Sequence, residues 1–199
     1  MSPGFADPKS WPISLAALIP STNSVRLSLD FGAGSMTAGR RNTLMPRERG
    51  CGNVRYREGE PEDLPRLLEI EKVSFGRDSF SRRLMEALLL ERSILTLVAD
   101  EDGKSQAYGM IMLDSMTGEG RIVSLAVVPG YRGRGFAKGL LREMEQHALK
   151  NGASKLVLEV GVVNVPALNL YLHDGFKLVG TVADYYGKGK DAFYLEKKL

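Results

Sequence analysis

The stretch Ser124-Leu-Ala-Val-Val-Pro-Gly-Tyr-Arg-Gly-Arg-Gly-Phe-Ala-Lys-Gly-Leu-Leu141 decides how this chain is read. Arg121–Val128 reads as a buried strand, Pro129 ends it, and Phe136, Leu140 and Leu141 begin a helix with one apolar side. The turn between strand and helix is basic and rich in glycine. Gly133 and Gly135 allow a tight turn and close backbone approach. The first turn of the helix leaves N–H groups without intrahelical partners, and the helix dipole favours an anion beside them. Arg132, Arg134 and Lys138 add positive charge at the same place. The spacing therefore predicts a phosphate-binding turn. Two more specific phosphate motifs fail on their residues. A P-loop begun at Gly130 needs Lys and Ser or Thr where Phe136 and Ala137 stand. A dinucleotide fingerprint begun at Gly133 meets Lys138, and no βαβ unit with an acidic residue on a second strand surrounds it.

Outward from this segment the pattern stays regular. Toward the C-terminus, Asn151-Gly152 stop the helix that runs from Phe136 to Lys150, and Lys155–Val160 read as an apolar strand. A short helix from Pro166 to His173 follows, stopped by Asp174-Gly175. Two last strands, 176–183 and 192–196, flank the loop Asp184-Tyr-Tyr-Gly-Lys-Gly-Lys-Asp191. Toward the N-terminus, strands 94–99 and 107–113 are joined by the turn Asp100-Glu-Asp-Gly-Lys104. Before them come a helix with Leu84, Leu88 and Leu89 and, from Pro61 on, one with Leu64, Leu67, Leu68, Ile70 and Val73 at helical spacing. The first alternating strand starts at Val54. The order is β-α-α-β-β-β-α-β-α-β-β, an α+β domain over residues 53–199.

Residues 1–52 differ in composition: rich in Ser, Gly and Pro and without a sustained period, they are expected to form a disordered basic N-terminal extension. The chain has 27 basic and 24 acidic residues; six basic and three acidic ones fall in 1–52, which leaves 21 of each in the body. The excess charge thus belongs to the extension. Its arginines are not interleaved with aromatic residues, so direct nucleic-acid binding is not expected. A single cysteine, Cys51, permits no intramolecular disulfide, and a cytoplasmic location is expected. With two histidines, His147 and His173, and no CxxC pair, no metal is expected. No segment reads as a membrane span.

At Arg132, Gly135 and Ala137 the turn resembles the Q/R-x-x-G-x-G/A motif of the GCN5-related N-acetyltransferase superfamily. The resemblance extends over residues 53–199. Its closest branch is the ribosomal-protein-alanine and archaeal protein N-terminal acetyltransferases, carried by 158–171, by His173-Asp-Gly-Phe176 and by the Tyr185-Tyr186 loop. It implies a mostly antiparallel twisted sheet of six to seven strands flanked by about four helices, and acetyl-CoA as co-substrate. By the resemblance, the backbone of Leu125, Ala126 and Val127 holds the pantetheine arm, residues Arg132, Gly133, Arg134, Gly135, Phe136, Ala137 and Lys138 hold the pyrophosphate, and Asn164 and Tyr171 contact the cofactor. Phe75, Tyr185 and Tyr186 would meet the acceptor, a protein or peptide N-terminus, and a place near the ribosome is compatible with that. Gly161 stands where this branch often has Arg, and the loop 75–80 lacks its proline.

Acetyl transfer needs an unprotonated amine, a polarised carbonyl and a proton for the leaving thiolate. Glu159, near the end of a strand, is the candidate base; its bland alternative is a surface carboxylate paired with a lysine. Tyr171, on the next helix, is the candidate acid, and its alternative is a packing aromatic. Lysine or small-amine acetylation is the competing activity, for which Glu69, Glu71, Asp78 and Glu86 offer an acidic pocket or merely solvated helix faces. A non-catalytic CoA-binding module is the competing class.

Overall fold

The computed structural model describes residues 54–199. The expected disorder of 1–52, the boundary at 53 and Cys51 lie outside the described residues. The elements run β1 (Arg55–Glu58), α1 (Leu64–Phe75), α2 (Arg82–Leu90), β2 (Ile94–Glu101), β3 (Lys104–Asp114), β4 (Glu119–Val127), α3 (Phe136–Lys150), β5 (Lys155–Gly161), α4 (Val165–His173), β6 (Lys177–Val182) and β7 (Ala192–Lys198). This is the order read from the sequence, and the fold is α+β as expected. The strands form one sheet in the order β1-β2-β3-β4-β5-β7-β6. Only β4 and β5 run parallel, because the helical crossover α3 joins them.

Both faces of the sheet are covered by helices. On one, Phe136, Leu140, Leu141, Met144 and Ala148 of α3 and Ala167 and Tyr171 of α4 pack on Ile122, Leu125, Val127, Leu156, Leu158 and Val160. On the other, Leu64, Leu67 and Ile70 of α1 and Leu84, Met85 and Leu88 of α2 pack on Val98, Tyr108, Met110, Val123 and Ala126. Alternation along β5 follows: Leu158 and Val160 face α3 and α4, and Glu159 faces the opposite side.

Two readings are corrected. The turn expected over 100–104 is confined to Asp102 and Gly103, whose φ of 53° and 75° make the two-residue hairpin that lets both strands extend to Glu101 and Lys104. On α1, apolar spacing assigned Val73 to the packed side, but Val73 is 55% exposed and Glu71 is fully buried. Glu71 therefore belongs to no solvated face. Hydrogen bonds, rather than apolarity, hold it inside.

α3 lies close to β1. A Cβ at Gly139 would come within 1.9 Å of the Tyr56 hydroxyl and 2.2 Å of its ring. Gly139→Ala gains helix propensity of about 0.5–1 kcal/mol, and overpacking against a rigid ring costs about 1–3 kcal/mol. The second effect wins, so thermal melting of Gly139→Ala is expected several degrees below wild type.

Candidate active site

The register between β4 and β5 covers only Glu119↔Lys155 to Arg121↔Val157. Both strands continue beyond it with their outer neighbours, β4 with β3 as far as Ala107↔Val127 and β5 with β7 as far as Gly161↔Ala192. The sheet therefore splits between its two central strands. Alternate residues of β4 beyond Arg121, including the run Leu125 to Val127, turn their peptide groups away from β3 toward this opening. A bulge sharpens the bend: Met110 pairs with Ser124 and Ile111 with Ile122, so Val123 is the extra residue.

The glycine-rich turn lies at the end of β4. Gly133 and Gly135 have φ of 71° and 89°, a left-handed region that side chains disfavour, and a Cβ at either would meet no heavy atom within 4 Å. Their Cα hydrogens face open space. Gly135 caps α3, leaving the N–H groups of Phe136, Ala137 and Lys138 in its first turn. Arg132 Nε donates to the Val127 carbonyl at 3.1 Å and ties the turn to the strand. The Arg134 side chain is committed elsewhere. It pairs with the buried Glu101 at 2.6 Å and lies 5.0 Å from the Tyr131 ring centroid and 5.7 Å from that of Phe136. Lys138 is exposed.

Glu159 is buried, and its Oε1 accepts a hydrogen bond from Arg121. The surface carboxylate paired with a lysine does not occur. Burial opposes the charge on Arg121, and the Glu159 carboxylate more than offsets that, holding the guanidinium above its ordinary pKa. The signal for this partner was available: a charged residue at the start of a strand read as buried needs a countercharge. Glu159 Oε2 is buried without a hydrogen-bond partner among the described residues. Tyr194 stands opposite Glu159 on β7. The Tyr186 hydroxyl donates to the Glu159 carbonyl at 3.1 Å, and the buried Tyr185 packs edge-on against Tyr186 at 5.0 Å. The 184–191 loop thus closes over the strand that carries Glu159.

Tyr171 is fully buried on α4, edge-on to Phe176 at 5.5 Å, and its hydroxyl has no hydrogen-bond partner among the described residues. Burial, with a smaller contribution from Asp174, pushes the phenol above its ordinary pKa. Asn164 caps α4 by accepting the Ala167 N–H at 3.3 Å. Phe75, half-buried, ends α1. Glu159 and Tyr171 occupy opposite faces of the sheet, and β4 and β5 part beyond the Arg121↔Val157 pair. His147 is half-buried on α3, and His173 is exposed, its Nδ1 2.7 Å from the Asn169 carbonyl.

A Cβ on Gly161 would meet the Tyr186 ring at 3.6 Å, an ordinary van der Waals contact, so an arginine there would run beside that ring. Gly161→Arg is expected to change the acceptor KM severalfold while leaving the acetyl-CoA KM near wild type, as initial-rate kinetics would show.

The split strand pair and the glycine-rich start of α3 together leave strand backbone and helix N–H groups facing one opening. Residues 62–176 match the Acetyltransferase (GNAT) family, and the chain belongs to that family. Among its relatives, the N-alpha-acetyltransferase of Sulfurisphaera tokodaii is 29% identical over 157 residues, 73% of this chain and 93% of the relative. The crystal structure of the ribosomal-protein-S18-alanine N-acetyltransferase from Escherichia coli shares the fold with a TM-score of 0.67 and 24% identity, over 73% of this chain and 93% of that one. The PaiA N-acetyltransferase from Thermoplasma acidophilum, in complex with coenzyme A, shares it with a TM-score of 0.58 and 24% identity, over 74% and 99%.

Proposed function

We propose that this acetyltransferase moves the acetyl group of acetyl-CoA onto the N-terminal α-amine of proteins, in the cytoplasm and near the ribosome. The observation that carries this reading is the pair of buried polar atoms without hydrogen-bond partners among the described residues, Glu159 Oε2 and Tyr171 Oη, on the two faces of the split sheet. The residues fit acetyl-CoA. Backbone groups of Leu125, Ala126 and Val127 would hold the pantetheine arm. The turn from Arg132 to Lys138, open at both glycine Cα positions, would take the pyrophosphate, with Asn164 beside the arm. When bound, acetyl-CoA supplies an acyl carbon for attack by the amine and a thiolate as leaving group.

Glu159 removes the amine proton at Oε2, directly or through water, while Arg121 occupies Oε1 and fixes the orientation of the carboxylate. Tyr171 holds its proton on the opposite face and delivers it to the departing sulfur. A phenol whose pKa is raised by burial stays protonated until that step. A thiol has a pKa of about 8.5, below that of the phenol, so the transfer is uphill and proceeds only as the C–S bond breaks. Phe75, Tyr185 and Tyr186 would line the path of the acceptor's first residues.

The charge balance supports an α-amine. An α-amino group with a pKa of about 7.7–8.0 is roughly 10–20% neutral at pH 7, whereas a lysine amine at about 10.4 is neutral in less than about one part in a thousand. Arg121 also neutralises Glu159, so the pair offers no net negative charge to draw a polycation. A panel of peptides with free N-termini, blocked peptides containing lysine, and polyamines tests the proposal. Faster turnover of lysine side chains or polyamines than of any peptide N-terminus would overturn it, and binding without turnover on any amine would overturn the mechanism.

A further inference from the structure

α1 carries a carboxylate into the interior that the transfer chemistry does not use. Glu71 is fully buried. Its Oε1 accepts the backbone N–H of Phe80 at 2.9 Å, and its Oε2 accepts the phenolic O–H of Tyr108. A phenol has one proton. With that proton directed to Glu71, the 3.0 Å contact between Tyr108 Oη and Ser124 Oγ has Ser124 as donor. Hydrogen bonds therefore run from Ser124 through Tyr108 and Glu71 to the Phe80 N–H, and none of these four residues is more than 3% exposed.

The two ends of this chain lie in the α1–α2 loop and on the bulged strand β4. Phe80 closes the loop that leaves α1 at Phe75, and its ring is anchored in the core below α1 and α2. Ser124 is where β4 regains its register with β3 after the bulge at Val123, immediately before Leu125, Ala126 and Val127. An apolar side chain at position 71 would suffice to pack α1 on the sheet. Burying a carboxylate is costly unless its hydrogen bonds are all made, and what such a network adds is direction. A carboxylate has two acceptor oxygens at a fixed angle, and here one holds loop backbone and the other holds the sheet.

We propose that Glu71 is a positioning residue, which sets the α1–α2 loop against the bulged strand so that the acceptor and the thioester-binding backbone are held in one geometry. This rests on the reading that the acceptor passes along that loop. Tyr108→Phe and Ser124→Ala break the chain with little change of volume. Glu71→Gln reverses it, since its amide nitrogen must meet either the Phe80 N–H or the Tyr108 hydroxyl.

The test is initial-rate kinetics with whichever primary amine the wild-type protein acetylates fastest, so that an error about the acceptor class shows in the wild-type panel and not here. Folded Tyr108→Phe is expected to lose on the order of tenfold in kcat/KM for the acceptor while acetyl-CoA binding, measured by calorimetry, stays near wild type. In Glu71→Gln combined with Ser124→Ala, the loss should be smaller than the product of the single losses, because both changes act on the same chain. Should Glu71→Gln not fold, Tyr108→Phe and Ser124→Ala decide the matter by themselves. Wild-type acceptor KM and kcat in both, with a change only in melting temperature, would reduce Glu71 to a structural residue and overturn the proposal.

Discussion

Tyr171→Phe is expected to slow acetyl transfer by roughly 10²–10⁴-fold, the range of general acid–base catalysis, while leaving the protein at least as stable as wild type. The two effects have opposite signs because the Tyr171 hydroxyl is buried and has no hydrogen-bond partner among the described residues. Removing an unsatisfied buried polar group relieves a desolvation cost of about 1–3 kcal/mol. A residue kept only for packing would show the stability change without the loss of rate. Glu159→Gln is expected to show a rate loss of the same order with a different pH dependence. With the base gone, the reaction depends on amine already neutral in solution, so activity rises with pH until the α-amine is deprotonated. Tyr171→Phe should recover little, since thiol departure remains unassisted. The amide introduced by Glu159→Gln still offers Arg121 an acceptor oxygen, and the folded state survives at a cost to the buried ion pair. Profiles of kcat/KM against pH on a peptide substrate, beside denaturant melts, check both. Wild-type-like kcat/KM in both variants would remove these residues from the chemistry and leave backbone positioning as its source.

Gly135→Val is expected to abolish measurable acetyl-CoA binding, with an affinity loss of about 10²-fold or more. Two costs add. The backbone at φ +89° is strained for a β-branched residue by about 1–3 kcal/mol. The new side chain also projects into the open space in front of the first turn of α3, where no protein atom lies within 4 Å of its Cβ and where an anion would approach the helix N–H groups. Calorimetric titration with acetyl-CoA measures the loss, and circular dichroism shows whether the fold persists. Gly135→Ala separates the two costs, since it keeps the φ strain but adds only one methyl group. Unchanged affinity in folded Gly135→Val would remove the phosphate site from this turn.

Much of this enzyme can be read locally. The strand-turn-helix from Ser124 to Leu141, the element order and the apolar faces of α3 and β5 are periodic signals that neighbours in sequence supply, and these determined the α+β class and the place of the glycine-rich turn. Glycines at 133 and 135 carry their meaning in their own φ angles. Other features depend on residues far apart in the chain. The partner of Glu159 is Arg121, 38 positions away. Glu71 leaves the solvated face that its charge implies because Tyr108 and the Phe80 N–H, brought to it by the sheet and by the α1–α2 loop, satisfy its oxygens. Arg134, by composition one of the phosphate-turn cations, is drawn to Glu101 and the Tyr131 and Phe136 rings instead. Periodicity reports which face a residue occupies. Local signals were enough for the family frame and the glycine-rich turn. They are silent on which charge stands opposite, because a buried ion pair or hydrogen-bonded carboxylate is stable only when distant strands set its partner at bonding distance. That the base and acid candidates lie on the two sides of a split sheet was therefore settled by long-range packing alone.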